Sequence, residues 1–285
     1  IVTTQRNDHV IALRAAAGTD TPVVRLWFGD GLDDVDPRDA KALRRGAGTL
    51  VLCAAARRQL TGLGVDEARI VEAAPPLDVA AVRARAEGAA GLRAKLGIPD
   101  DHLLVGIVAR MQTHRRFEML WEAVASWKEA GVPASVLAVG RGTHQETVAH
   151  EPVRSLGLED VVHFSGYLRG AAYAQTVAQF DAQILLVPGS DPSCRALREG
   201  MALGVPSLAT RRGMLPSIVD DGVTGVLVDE TAASLEAAVA RMAADREATR
   251  ALGEAARAKA DTEFATPVVA ARLEEQLARS VKAPA

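Results

Sequence analysis

Two rhythms of apolar and polar positions alternate along the chain. Short β-branched and apolar runs occupy 22–27, 49–54, 68–73, 103–109, 134–139, 161–164, 182–187, 206–210 and 226–228, with a further one at 1–4. Runs that stay apolar at successive positions are what a strand buried on both faces of a parallel sheet requires. Between them the period lengthens. Phe117, Leu120, Trp121, Val124 and Trp127 stand at i, i+3, i+4, i+7 and i+10, one apolar stripe of a helix that Gly131 and Pro133 end. Leu235, Val239 and Met242 mark a second helix, and Thr266-Pro267 opens a third carrying Val269, Leu273 and Leu277. Strand, helix, strand at this spacing predicts right-handed βαβ units and an α/β fold with doubly wound parallel sheets.

Punctuation divides the pattern. Pro75-Pro76, an Ala/Arg/Gly-rich polar stretch and Gly97-Ile98-Pro99 read as a connection between two halves. The expected organisation is a first domain over 1–76, an interdomain connection over 77–101, a second domain over 102–265, and a C-terminal helix over 266–285 that packs back on the first domain. The second half offers six strands, a whole nucleotide-binding sheet, and the first only four. The chain opens Ile1-Val2-Thr3 with neither methionine nor a charged, apolar leader. Together these read as a first domain whose opening strands are absent.

Composition narrows the function classes. The 33 basic and 36 acidic residues give a net charge of −3, so no overall positive field exists to hold nucleic acid or an anionic membrane. Cys53 and Cys194 are the only cysteines, too few for a disulfide framework or a structural zinc site, which suits a reducing cytoplasm. No apolar run reaches the roughly 18 residues of a membrane helix.

Two segments carry candidate chemistry. Val108-Ala109-Arg110 runs off a strand into a loop with Arg115 and Arg116, placing three guanidinium groups beside one strand end and a following helix, an arrangement suited to a phosphate or diphosphate. Beyond the strand at 182–187, Asp191, Pro192 and Ser193 suit a helix start, so that the backbone N–H groups of Ser193, Cys194 and Arg195 would face a ligand. Glu199 follows Asp191 by eight residues, a little over two helical turns, which lets both carboxylates face one crevice. A carboxylate accepts in-plane hydrogen bonds from the hydroxyls of a ribose or hexose. Cys194 itself reads as a small helix residue.

These segments recur in a recognisable order: Val108-Ala109-Arg110 with Arg115, Val139-Gly140-Arg141-Gly142, Val162 through Gly166-Tyr167, Asp191 to Glu199 with Met201-Ala202 and Gly204-Val205-Pro206, then Asp221 through Gly225 and Val228. The series resembles the family-four type of retaining glycosyltransferase. That resemblance implies the GT-B fold, two Rossmann-like parallel-sheet domains. It assigns Arg110 and Arg115 to the diphosphate of a nucleotide-sugar donor and Asp191 to the transferred sugar. Glu199 goes to the ribose, Tyr167 and Leu168 lie near the base, and Ser193, Cys194 and Arg195 meet the phosphates, with Gly140 in the donor-binding set. It implies transfer to a glycan or lipid-linked acceptor without metal or other cofactor, in the cytoplasm, with room for peripheral contact at the inner face of a membrane. Arg115 stands where the family usually has lysine, Asp191 where it has glutamate, and Phe28 where a strand commonly ends in histidine.

Other motifs have simpler readings. Asp34-Val35-Asp36 matches a metal-binding D-x-D, but Asp36-Pro37 fits a helix cap with a first-turn proline. Gly140-Arg141-Gly142 lacks the third glycine of a dinucleotide fingerprint, since Gln145 occupies it. His144 and His150 are six apart, on different helix faces. Besides transfer, a nucleotide-sugar binding protein without turnover and a GT-B-fold sugar-nucleotide isomerase are consistent with the sequence.

Overall fold

The computed structural model describes residues 1–29, 31, 34–187 and 193–282. The chain divides into two compact units, Ile1–Pro76 with Glu263–Ala285, and Leu77–Thr262.

Among its described residues the first unit holds four parallel strands in sequential order, β1 (Val2–Thr3), β2 (Val24–Trp27), β3 (Gly48–Val51) and β4 (Ile70–Glu72). Val24 stands opposite both Val2 and Gly48, and Thr49 opposite Ile70. Helices α1 (Arg6–Ala15), α2 (Pro37–Leu43) and α3 (Ala54–Gly62) make the crossovers. The apolar run at 49–54 does not remain strand throughout: pairing stops at Val51 and Cys53 is the N-cap of α3. Capping fixes the other helix starts. The Asp8 carboxylate accepts from Thr4 N at 3.0 Å and Gln5 N at 2.8 Å, and Asp36 accepts from Arg38 N at 2.8 Å with Pro37 in the first turn. His9 is fully buried, its Nδ1 2.8 Å from the Thr3 hydroxyl, and burial pulls its pKa below the ordinary value and keeps it neutral.

The second unit is built from helices α4 (Val79–Ala86) and α5 (Leu92–Leu96), then β5 (Leu103–Val108), α6 (Phe117–Glu129), β6 (Ala134–Val139), α7 (Glu151–Ser155), β7 (Val162–Gly166), α8 (Gly170–Val177) and β8 (Ala182–Leu185). It continues through α9 (Arg195–Ala202), β9 (Ser207–Thr210), α10 (Leu215–Ile218), β10 (Gly225–Val228), α11 (Ala232–Ala244) and α12 (Arg246–Lys259). Its described strands form one parallel sheet in the order β10-β9-β8-β5-β6-β7. The chain reverses direction across the sheet at β5, between β6 on one side and β8 on the other, which creates a crevice at the strands' carboxyl ends. The segment 77–101 holds two helices, and α4 packs on α8 and α9.

Both faces of this sheet are covered, as the continuous apolar runs require. Leu103, Val105 and Ile107 of β5 join Val136 of β6 and Ile184 of β8 in one core, closed by Phe117, Leu120, Trp121, Val124 and Trp127 of α6 and by Leu235, Val239 and Met242 of α11. Leu104, Leu137 and Val139 point the other way, to Val177, Phe180 and Val205. Phe180 lies so close to the backbone that a Cβ at Gly106 would come within 2.0 Å of its ring. Trp127 has no exposed surface, and truncating such a side chain removes its transfer energy and leaves a cavity. Trp127→Ala should therefore cost the second unit about 3–5 kcal/mol, read as a lowered urea midpoint at unchanged slope.

Candidate functional site

The carboxyl ends of the central strands open into a cavity of about 1010 Å3. Its floor is backbone. The chain leaving β6 crosses over the end of β5, where Ala109 N donates to Val139 O at 3.1 Å and Gly140 N to Gly166 O at 2.9 Å. A Cβ on Gly140 would lie 2.1 Å from Ala109 O, and one on Gly142 2.1 Å from Met111 O. Gly140 also adopts φ +143°, a conformation side chains resist.

Arginines dominate the walls. Arg85, Arg110, Arg115, Arg141, Arg169 and Arg195 line the cavity, and Glu199 is its one acidic residue among the described ones. Arg115 is buried in a short turn before α6, with Nη1 donating to Val187 O at 2.9 Å. Arg110 is exposed at the mouth. Tyr167 keeps 54% of its surface exposed, and the guanidinium groups of Arg141 and Arg169 approach its ring at 5.4 and 4.9 Å. On α9, Arg195 Nε donates to Glu199 Oε1 at 2.9 Å, one turn apart, with the carboxylate largely buried. Tyr173 of α8 turns a hydroxyl removed from solvent toward that carboxylate. Burial, reinforced by Glu199, raises the phenol above its ordinary pKa.

Leu168 and Cys194 also line the cavity. Ser193 lies outside its lining and accepts from Arg198 Nε at 2.8 Å, and Asp191 falls outside the described residues. Three expectations are corrected. The helix starts at Arg195 rather than near Asp191, because Cys194, its N-cap, takes the left-handed φ of +46° and breaks the helical path. Cys194 is thus no helix residue, and counting helical turns from position 191 does not apply. Arg116 does not converge with Arg110 and Arg115: at φ +61° it turns to Glu118 at 3.2 Å and Glu230 at 3.6 Å. Reading by motif also missed Val82 and Arg85, which a polar connection gave no reason to place in a wall, and Tyr173, which stands alone in a run of small residues.

A profile of the glycosyl transferases group 1 family matches residues 90–259, more than half of the chain. The chain belongs to this family. Among its curated relatives are a D-inositol 3-phosphate glycosyltransferase of Kineococcus radiotolerans, 33% identical over 72% of this chain and 51% of the relative, and an N-acetyl-alpha-D-glucosaminyl L-malate synthase of Bacillus anthracis, 28% identical over 64% and 47%. The chain spans about half the length of the curated relatives it matches. The crystal structure of Anabaena HepE in complex with UDP superposes with a TM-score of 0.78 at 19% identity, covering 98% of this chain and 78% of that one. The fold is that of the GT-B glycosyltransferases, each unit a parallel α/β sheet. No group of three or more His, Cys, Asp or Glu side chains is placed to hold a metal among the described residues of this family member.

Tyr173 gives a pH signature. Its raised pKa means that the folded state holds the phenolic proton more tightly than the unfolded chain does. The associated stability is complete below the unfolded pKa of about 10 and declines as pH rises above it. Urea midpoints measured from pH 8 to 11 should fall more steeply for the native chain than for Tyr173→Phe.

Proposed function

We propose that the chain transfers a sugar from a nucleoside-diphosphate donor to a hydroxyl of a glycan or lipid-linked acceptor, with retention at the anomeric carbon, in polysaccharide, lipopolysaccharide or glycolipid synthesis. One observation carries this reading in a member of the group 1 family: among the described residues, six arginines and a single carboxylate share one cavity at the switch point of a parallel sheet. Such a charge distribution suits a diphosphate, whose oxygens accept charge-assisted, bidentate hydrogen bonds from guanidinium groups.

In this reading Arg110 and Arg115 hold the diphosphate and stabilise the charge that gathers on it as the bond to the sugar breaks; one such donor is worth about 10²–10³ in rate. Glu199, oriented by Arg195, accepts from the ribose hydroxyls, and Tyr167 with Leu168 borders the base. Ser193, Cys194 and Arg195 lie on the phosphate side, and Asp191 faces the transferred sugar. The acceptor hydroxyl attacks from the face the diphosphate leaves, and no protein nucleophile is needed. Among the described residues no helix is long and apolar enough to cross a membrane, and we place the protein in the cytoplasm, at most touching the inner face of a membrane.

Calorimetric titration with UDP, GDP and ADP tests the donor site. One of them should bind, and Arg110→Ala and Glu199→Ala should each weaken it at least about tenfold, some 1.4 kcal/mol. No binding by any nucleotide, or binding indifferent to both changes, overturns the reading. Phe28 favours a second one: it exposes 50% of its surface where the resembled family commonly places a histidine, and a phenyl ring cannot hydrogen-bond. A nucleotide-sugar binding protein would bind donor yet release no sugar, and an isomerase would convert the donor with no acceptor present. Product analysis by NMR separates both from transfer.

A further inference from the structure

We propose that the first unit carries a binding site for an uncharged, hydroxyl-rich ligand, a saccharide or cyclitol, and that this site turns away the phosphorylated or carboxylated forms of the same ligand. It rests on the transferase reading only in identifying that ligand as the acceptor.

The site is an open depression of about 470 Å3. It is formed where the chain leaves β1 and where α2 begins, and Arg6, Arg25, Asp36 and Asp39 contribute its charged lining. Arg25 is the unusual member. It projects from β2 with 6% of its surface exposed, yet its guanidinium makes no hydrogen bond to any described residue, and its Nε is sealed from solvent without a partner. Two carboxylates compensate its charge only at a distance, Asp8 Oδ1 at 4.0 Å from Nη1 and Asp39 Oδ1 at 3.9 Å from Nη2. Asp8 is already committed, since its oxygens accept from Thr4, Gln5 and His9 N–H. The guanidinium also lies over the Trp27 ring, 5.9 Å from its centroid. A buried fork of donors with its charge met and its hydrogen bonds unmade awaits acceptor oxygens.

Charge decides which oxygens. Arg6 pairs with Asp36 and lies 4.0 Å from Asp39. Around the site three guanidinium groups, Arg6, Arg25 and Arg38, therefore balance three carboxylates, Asp8, Asp36 and Asp39, and the adjoining His9 is held neutral by burial. Among the described residues no positive charge is left over for a phosphate, which would sit beside carboxylates. A hydroxyl meets both halves of this lining: its oxygen accepts from Arg25, and its proton is donated to Asp36 or Asp39. Adjacent hydroxyls on a ring repeat the pattern, and neither group gains an unpaired charge. The cavity of the second unit, with six arginines to one carboxylate among its described residues, has the opposite preference.

Saturation-transfer NMR on the whole chain, with methyl α-D-glucopyranoside and myo-inositol against glucose 6-phosphate and inositol 1-phosphate, tests the site. At least one neutral polyol should receive saturation, and its phosphate should bind at least about tenfold more weakly, some 1.4 kcal/mol. Asp36→Asn, which keeps an N-cap acceptor, combined with Asp39→Asn should narrow that gap about tenfold, the same 1.4 kcal/mol. Arg25→Gln should abolish the polyol signal. Arg25→Lys, which keeps the charge between Asp8 and Asp39 but loses the planar fork, should reduce it severalfold and serves if the glutamine variant does not fold. Phosphates binding as well as neutral polyols, no signal from any polyol, or a signal that survives both Arg25 variants each overturns the proposal. Calorimetric nucleotide binding on the same samples keeps the two readings apart. Nucleotide without polyol sinks this site and leaves the donor site standing, and polyol without nucleotide does the reverse.

Discussion

Two carbonyl oxygens, those of Ala109 and Met111, set the form of the second unit's cavity, because the chain leaving β6 crosses them with no room for a side chain. The crossing locks three strand ends together. Ala109 is hydrogen-bonded to Val139, and Gly140 to Gly166, so the loops after β5, β6 and β7 leave the sheet at one level. Arg110, Arg141 and Tyr167 are the first side chains beyond that level, which is why residues far apart in sequence share one wall. The same economy of space recurs beneath, where Gly106 admits the Phe180 ring and Gly200 admits Gln183, whose amide ties Leu197 O to Ser207 Oγ. A rigid floor of this kind lets guanidinium groups be held near one another, where their mutual repulsion would otherwise drive them apart.

Much of the sheet was legible because burial on both faces imposes a run rather than a pattern of alternation: the strands at 103–109, 134–139 and 182–187 needed only their apolar residues to be placed. The stripe on α6 was equally plain, since only a helix brings Phe117, Trp121, Val124 and Trp127 to one core. What escaped were features set by local backbone or by distant packing. Nothing in Ser193-Cys194-Arg195 announces a left-handed cysteine. Beside it the buried Arg198 donates Nε to Ser193 O from inside the helix, a contact equally invisible in the sequence. Arg116 shared the composition of its neighbours but not their direction, because its left-handed turn delivers it to Glu230. Arg85 and Val82 lay in a stretch whose alanines and arginines read as polar, and only the packing of α4 on α8 brings them to the cavity. Arg25 sat in an apolar strand and was passed over, although a charge inside a buried run is itself a signal.

The two units solve the problem of a buried guanidinium differently. In the second, the buried Arg115 is tied to the backbone at Val187 O, and the exposed Arg195 is held by a carboxylate one turn away, so geometry is set by hydrogen bonds and surplus charge remains. In the first, Arg25 is balanced by charge and left without hydrogen bonds. A surplus of charge selects by sign, and a surplus of hydrogen-bond donors selects by shape and by hydroxyl count.

The tryptophans have a practical consequence. Trp121 and Trp127 are enclosed in the core of the second unit, the first with its indole N–H on Val148 O at 2.8 Å, while Trp27 is only half-buried in the first unit beneath a guanidinium. Their emission should therefore separate by colour, the enclosed pair toward the blue and the half-buried Trp27 toward the red. Each unit carries its own optical reporter, so a change confined to one can be followed in the intact chain without a label.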